Sequence, residues 1–233
     1  MLGGIGMKIQ SFVKRLNATE LGLGATHDAY IAIPSEVNLS FMLEHQKVLT
    51  PKDRYSGGIY NPSGSAFKYV QTGQNNQERI SGLGEFYVTT DAKVGDEILV
   101  ERIEDSSGRV DYYIDLCHRR AIVFQVNSIK GKRCVDILPN NLIEKYANGM
   151  DYNLEVIYNG RLHTLVVEFL EEAKKKKTSP SATKFYDLQI DGESILSSYS
   201  YQEYIEIVTD GMRLGRMKTY LYSILELMEG KDE

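Results

Sequence analysis

The sequence has only two cysteines, Cys117 and Cys134. That excludes a disulfide framework and leaves no cysteine-based zinc site. No apolar run approaches the ~18 residues of a membrane-crossing helix. The opening MLGGIGMK has neither a basic n-region nor a long apolar stretch. A secretory signal is therefore not expected, and a cytoplasmic location is. The histidines His27, His45, His118 and His163 show neither HxxxH nor HxH spacing. There is no GxSxG and no P-loop, and LGLGATH lacks the strand-to-helix setting of a dinucleotide fingerprint. No cofactor is implied. A restriction-type nuclease needs carboxylates, and usually a lysine, around Mg²⁺. The nearest acids are Asp136, Asp151 and Glu168. Phe169 and Leu170 follow Glu168 where that arrangement wants a lysine, and Lys174 is too far along. No catalytic residue and no metal ligand is assigned, and whether the chain is an enzyme is left open.

What is present is ordinary for a soluble globular protein: 233 residues, 42% hydrophobic and 25% charged. That length suits one large domain or two small ones. The net charge of -5 counts against an indiscriminate nucleic-acid binder, because phosphate contacts supply most non-specific affinity. The charge is uneven, however. Over residues 8–79 Lys and Arg slightly outnumber Asp and Glu. Acids dominate residues 80–115, with Glu85, Asp91, Asp96, Glu97, Glu101, Glu104, Asp105, Asp111 and Asp115. An acidic back and a mildly basic front would orient a protein on DNA.

Short apolar segments separated by turn signals run through the chain, which predicts a mainly β (α+β) protein built as a barrel or sandwich. Strands are expected at 8–16, 29–33, 59–60, 67–70, 86–90, 97–102 and 110–116. A helix is expected to start at Pro34-Ser35-Glu36, with Val37, Leu39, Phe41, Met42 and Leu43 on its apolar side. A second set of strands opens after Arg119-Arg120, at 121–126 and 134–138, with a turn at Lys130-Gly131-Lys132. Asn159-Gly160 and Asp191-Gly192 each sit between apolar runs and predict hairpins. Lys174 to Lys177 could meet phosphate, though a charge run beside Ser and Pro is more often a solvated loop. Over 201–228 the apolar residues Tyr204, Ile207, Val208, Met212, Leu221, Ile224, Leu225 and Met228 fall near helical spacing, with Gly211 and Gly215 bending or breaking the helix.

Two polar stretches stand apart. The first, KRLNATELGLGATHDAYIAIP over residues 14–34, starts and ends like strand and is loop chemistry between. Its length favours a functional or disordered loop over an ordinary connection. The second, QTGQNNQER over residues 71–79, has no apolar residue. Asn and Gln can bond adenine bidentately in the major groove, and Arg can do so with guanine. Either stretch can also be a solvated surface loop.

The first stretch resembles the start of the N-terminal effector-binding domain of EcoRII-type restriction endonucleases. The shared pattern is Lys14, Arg15, Leu16, Ala18, Gly22 or Gly24, His27, Ile33 and Pro34. A second block, Asn76, Arg79, Ile80 and Gly84, follows in the family's order at about its separation. The resemblance covers roughly residues 8–115. It implies a B3-like DNA-binding pseudobarrel in residues 1–118. Residues 119–233 then form a second β-rich domain of unknown role with a C-terminal helical segment. It also implies that an N-arm and a C-arm grip duplex DNA through the major groove. His27, Asn76 and Arg79 match the family, and Gln77 stands where the family has Glu. Gly73, Asn75 and Glu78 occupy positions where the family has cations, and Ala32 replaces a Tyr. Lost cations weaken phosphate attraction and changed side chains change the preferred bases, so a target other than the family's CCWGG-type site is expected.

The expected DNA-contacting set is Lys14, Arg15, Asn17, His27 and Asp28 on the N-arm. On the C-arm it is Gln71, Gln74, Asn75, Asn76, Gln77, Glu78 and Arg79. The function implied is sequence-specific recognition within a restriction-modification or related defence system. A nuclease subunit or a second copy of the chain is the partner considered for residues 119–233, and no membrane is. The alternatives are a complete small Mg²⁺-dependent nuclease with its site in the C-terminal half, and a protein-interaction adaptor.

Overall fold

Lys8–Arg15 is the strand on which the first half of the protein is built. In the computed structural model its residues alternate between a core face and an outer face, and Phe12 is fully buried. The structure describes residues 7–23, 27–34, 37, 39, 48–49, 52–53, 67–72, 77–139, 141–175, 181–218 and 220–226. The protein is mainly β. In chain order the strands are β1 (Lys8–Arg15), β2 (Tyr30–Ile33), β3 (Val48–Leu49), β4 (Lys52–Asp53), β5 (Phe67–Thr72) and β6 (Gln77–Ser81). Helix α1 (Gly84–Thr89) then precedes β7 (Glu97–Glu104) and β8 (Val110–Cys117). Further on come β9 (Ala121–Ile129), β10 (Lys132–Ile137), β11 (Ala147–Asn148), β12 (Asp151–Tyr158) and β13 (Arg161–Ala173). The last are β14 (Thr183–Ile190), β15 (Glu193–Ser194), β16 (Tyr204–Val208), β17 (Arg213–Arg216) and β18 (Tyr220–Glu226).

The chain divides into two compact units. Unit 1 is Met1–His118 with Lys218–Glu233, and unit 2 is Arg119–Met217. Unit 2 is thus inserted into unit 1, where the sequence suggested two consecutive domains.

Among the described residues, unit 1 has two sheets. One runs β18-β1-β7-β8-β4, the other β2-β6-β5-β3. Phe12, Ile98, Val100 and Ile114 from the first sheet share a core with Ile31, Ile33 and Ile80 from the second. Residues 86–90, expected as strand, are instead mostly α1. Leu83, Phe86 and Tyr87 are buried and Val88 is 81% exposed. That is helical i, i+3, i+4 spacing, and the β-forming Val88-Thr89-Thr90 does not override it. Of the helix expected from Pro34, residues 35–36, 38 and 40–47 lie outside the described residues, as do 59–60.

Unit 2 is a sheet in the order β10-β9-β16-β17-β12-β13-β14-β15, with β10 also bridged to β14. The hydrogen bonding is ring-like but not a true barrel. Two of its seams are single pairs, Val135↔Tyr186 and the parallel Ile157↔Arg213. Inside lie Ile122, Phe124, Val126, Leu154, Val156 and Leu165 among others. Asn159-Gly160 and Asp191-Gly192 form two-residue hairpin turns, with positive φ at both residues of each (48° and 77°, 55° and 81°). That is the type I′ geometry which selects such pairs.

The helical segment expected over 201–228 is corrected: β16, β17 and β18 occupy it. Ile205 and Ile207 alternate inward, and Val208↔Arg213 closes a hairpin through Gly211 at φ 79°. The β-branched Ile205, Ile207, Val208 and Thr209 suit a pleated surface. Tyr204, Ile207 and Val208 fit helical i, i+3, i+4 spacing, whereas the buried pair Ile205 and Ile207 follows the strand period.

Cys117 is exposed and Cys134 is buried. Burial, and after it Asp136, pushes the Cys134 thiol from 9.0 up to about 11. Alkylation of the native protein near neutral pH is expected to label Cys117 alone, because the thiolate is the nucleophile. In the unfolded chain Cys134 ionises first. Its contribution to stability is therefore complete below pH 9.0 and is lost as pH rises toward about 11. Denaturant midpoints measured across that window check the sign.

Candidate nucleic-acid interface

Residues 17–23 form a single capped turn. Asn17 Oδ1 accepts the Glu20 N–H at 3.0 Å, and Glu20 Oε2 accepts the Asn17 N–H at 3.1 Å. This reciprocal pair is a capping box. At the other end Leu23 N–H bonds Ala18 O at 3.0 Å and Gly22 N–H bonds Thr19 O at 3.1 Å. That is the Schellman closure, which places Gly22 in the left-handed region at φ +75°. A Cβ on Gly22 would stand 3.0 Å from His27 O, so the return of the chain also requires glycine there. The N-A-T-E-L-G segment thus has a defined shape.

Glu20 is also the root of this arm. Strand β2 is the edge of its sheet, and the backbone groups on its outer side need partners. Glu20 provides them. Its carbonyl accepts Tyr30 N–H at 3.0 Å, and Oε1 accepts Ala32 N–H at 2.8 Å. Lys14 Nζ ion-pairs with the same carboxylate and donates to Ala32 O at 2.9 Å. Lys14 and Glu20 are 4% and 1% exposed. Together they take the place of a neighbouring strand and tie β1, the arm and β2 into one piece.

This placement reassigns part of the expected contact set. Lys14 is committed to the arm root. Arg15 is buried, with Nε donating to Gly95 O at 3.1 Å. Asn17 caps the turn. Among the described residues of the arm, Thr19, Leu23, His27 and Asp28 are exposed. His27 sits at φ 54° with Nδ1 3.3 Å from Gly22 O. A carbonyl oxygen only accepts, so Nδ1 is the donor in that contact. Residues 24–26 lie outside the described residues.

Arg79 lies on β6 opposite Ala32, on the face away from the Ile31–Ile80 core pair. Its guanidinium carbon stands 4.0 Å from the Tyr30 ring centroid. Stacking on an aromatic face holds a guanidinium in place and keeps its charge. Tyr30 is itself fixed, because Glu20 O takes its N–H and Tyr87 donates its hydroxyl to Tyr30 O at 3.3 Å. Burial, and after it the Glu20 carboxylate, raises Tyr87 well above its ordinary range, so that hydroxyl stays a neutral donor. Glu78 faces the core side of the same strand, in register with Ile33. Gln71 and Gln77 lie in strands, with side chains outside what the structure describes. Gln74, Asn75 and Asn76 lie outside the described residues altogether.

The two polar connections leave opposite ends of the β2–β6 ladder. Tyr30 pairs with Ser81 at the N-arm end, and Ile33 pairs with Glu78 at the other. Three steps of ~3.3 Å separate those ends, roughly 10 Å.

No protein-family model and no curated protein matches the chain.

The acids of residues 80–115 fall largely on β7 and β8, in the other sheet of unit 1. Arg102 and Arg109 there pair locally, with Glu104 at 2.7 Å and Asp111 at 3.1 Å. In unit 2 the three acids weighed for a nuclease site have separate partners. Asp136 is bonded by Asn127 and by Lys175 at 2.8 Å. Asp151 accepts Phe169 N–H at 2.7 Å, and Glu168 accepts from Gln189 at 2.6 Å. Among the described residues no group of three or more His, Cys, Asp or Glu could hold a metal ion. Of the lysine run, Lys175 is taken by Asp136, and Lys176 and Lys177 lie outside the described residues. Among the described residues no helix is long and apolar enough to cross a membrane.

Sequence reasoning missed Glu20 and Tyr30. The signal for Glu20 was the N-x-x-E spacing of a capping box. Nothing local marks Tyr30, whose partner Arg79 is distant along the chain.

Proposed function

We propose that this protein binds double-stranded DNA in a sequence-specific manner, as the recognition module of a restriction-modification or related defence system. In this reading unit 1 is a B3-like pseudobarrel, and its arms enter the major groove from either flank. The observation that carries the reading is the β2–β6 ladder. It sends one polar connection from each end, roughly 10 Å apart by strand rise, against a groove about 12 Å wide. Between them Arg79 is stacked on Tyr30, on the face away from the core. Acids concentrated in the other sheet would be repelled by phosphate and would favour this approach.

Arg79 is assigned to a base edge and His27 to the opposite flank. Arg79→Ala is expected to cost about 1–3 kcal/mol on the preferred duplex and to relax specificity at one position. Competition mobility shifts on single-base variants of that duplex measure this. Uniform weakening across all sequences would make Arg79 a phosphate contact.

A further inference from the structure

The geometry points to Glu20 as a positioning residue of the proposed reading surface, an inference that rests on the DNA-binding reading above. Glu20 is 1% exposed and so is not itself placed to touch a duplex. It is bonded instead to the turn that precedes Leu23 and to the strand that carries Tyr30. Through the capping box it shapes the turn that leads to Leu23 and His27. Through its carbonyl and Oε1 it holds Tyr30 and Ala32 at the outer edge of β2. Tyr30 is the platform under the Arg79 guanidinium. Through Lys14 the same carboxylate is anchored on β1, an interior strand of the other sheet. One buried residue, through its carboxylate and its carbonyl, therefore ties the arm to the strand that carries the arginine's platform.

A buried carboxylate is costly unless paired, and replacing a buried pair by neutral groups of similar volume often leaves a fold stable. A pair kept only for stability is dispensable under that substitution. A pair that sets the distance between two reading elements is not. Base readout depends on that distance, whereas phosphate attraction depends on charge.

The test uses the full chain and the double variant Lys14→Met/Glu20→Gln, whose neutral pair retains the packing volume. The probe is the duplex that the unsubstituted protein enriches from a random pool, with a scrambled duplex as competitor. Discrimination between the two is expected to fall roughly 10-fold to 100-fold, as for loss of a hydrogen bond to a charged group. The slope of log affinity against log salt is expected not to change, because no phosphate contact is removed. Hydrogen exchange on the DNA-free protein gives an independent readout. The amides of Asn17 and Ala32, whose acceptors are the Glu20 carboxylate oxygens, are expected to exchange faster in the double variant and in Glu20→Gln, while Phe12 stays protected. Unchanged discrimination, or unchanged protection of those amides, overturns the positioning role alone. Failure of the unsubstituted protein to enrich any sequence overturns the DNA reading on which it rests.

Discussion

Deletion of residues 218–233 is expected to abolish cooperative folding of unit 1 and to leave unit 2 folded. Strand β18 pairs with β1 over seven residues, from Lys8↔Glu226 to Lys14↔Tyr220. It makes β1 a central strand, flanked on its other side by β7. Removing it strips one whole side of the β1 ladder. About seven backbone hydrogen bonds at roughly 0.5–1.5 kcal/mol each come to about 4–10 kcal/mol. A domain's entire stability is about 5–15 kcal/mol. Unit 2 is contiguous and retains its own core, so its transition is expected to persist. Calorimetry with limited proteolysis distinguishes the units. Two transitions and an intact unit 1 in the deleted protein would show that the ladder is not needed.

The second large effect is expected from Glu20→Ala. This change leaves Lys14 buried without its counter-ion and removes the acceptors of the Asn17 and Ala32 amides. Breaking one side of a buried pair costs about 3–5 kcal/mol. Unit 1 is expected to lose that much in denaturant titration. The neutral pair Lys14→Met/Glu20→Gln is expected to recover most of it, so the two positions should be strongly non-additive. Equal and additive costs would mean that the two side chains act separately.

How far the sequence showed this depends on how local each signal is. The Asn159-Gly160 and Asp191-Gly192 hairpins were legible because positive φ at two consecutive residues restricts the choice of residue. The terminal strands were not. Tyr204, Ile207 and Val208 satisfy helical spacing, and β16 is a strand because its partner β9, far back in the chain, pairs with it. Nothing near Tyr220 announces that β18 returns to the first strand. Long-range pairing of this kind leaves no local pattern. The arm was legible as a special loop, from its glycines and short polar residues. Its internal roles were not. Lys14 and Arg15 look like DNA contacts in sequence, and in the structure both are buried. Burial of a cation depends on an acceptor, and Glu20 reaches Lys14 only once the turn has folded.

Selection of duplexes from a random pool by the full-length protein, at low and at moderate salt, tests the central claim most directly. Enrichment of one short sequence family is the expected result, with Arg79→Ala degenerate at one of its positions. A pool that emerges as random as it entered would contradict the claim that this protein reads DNA.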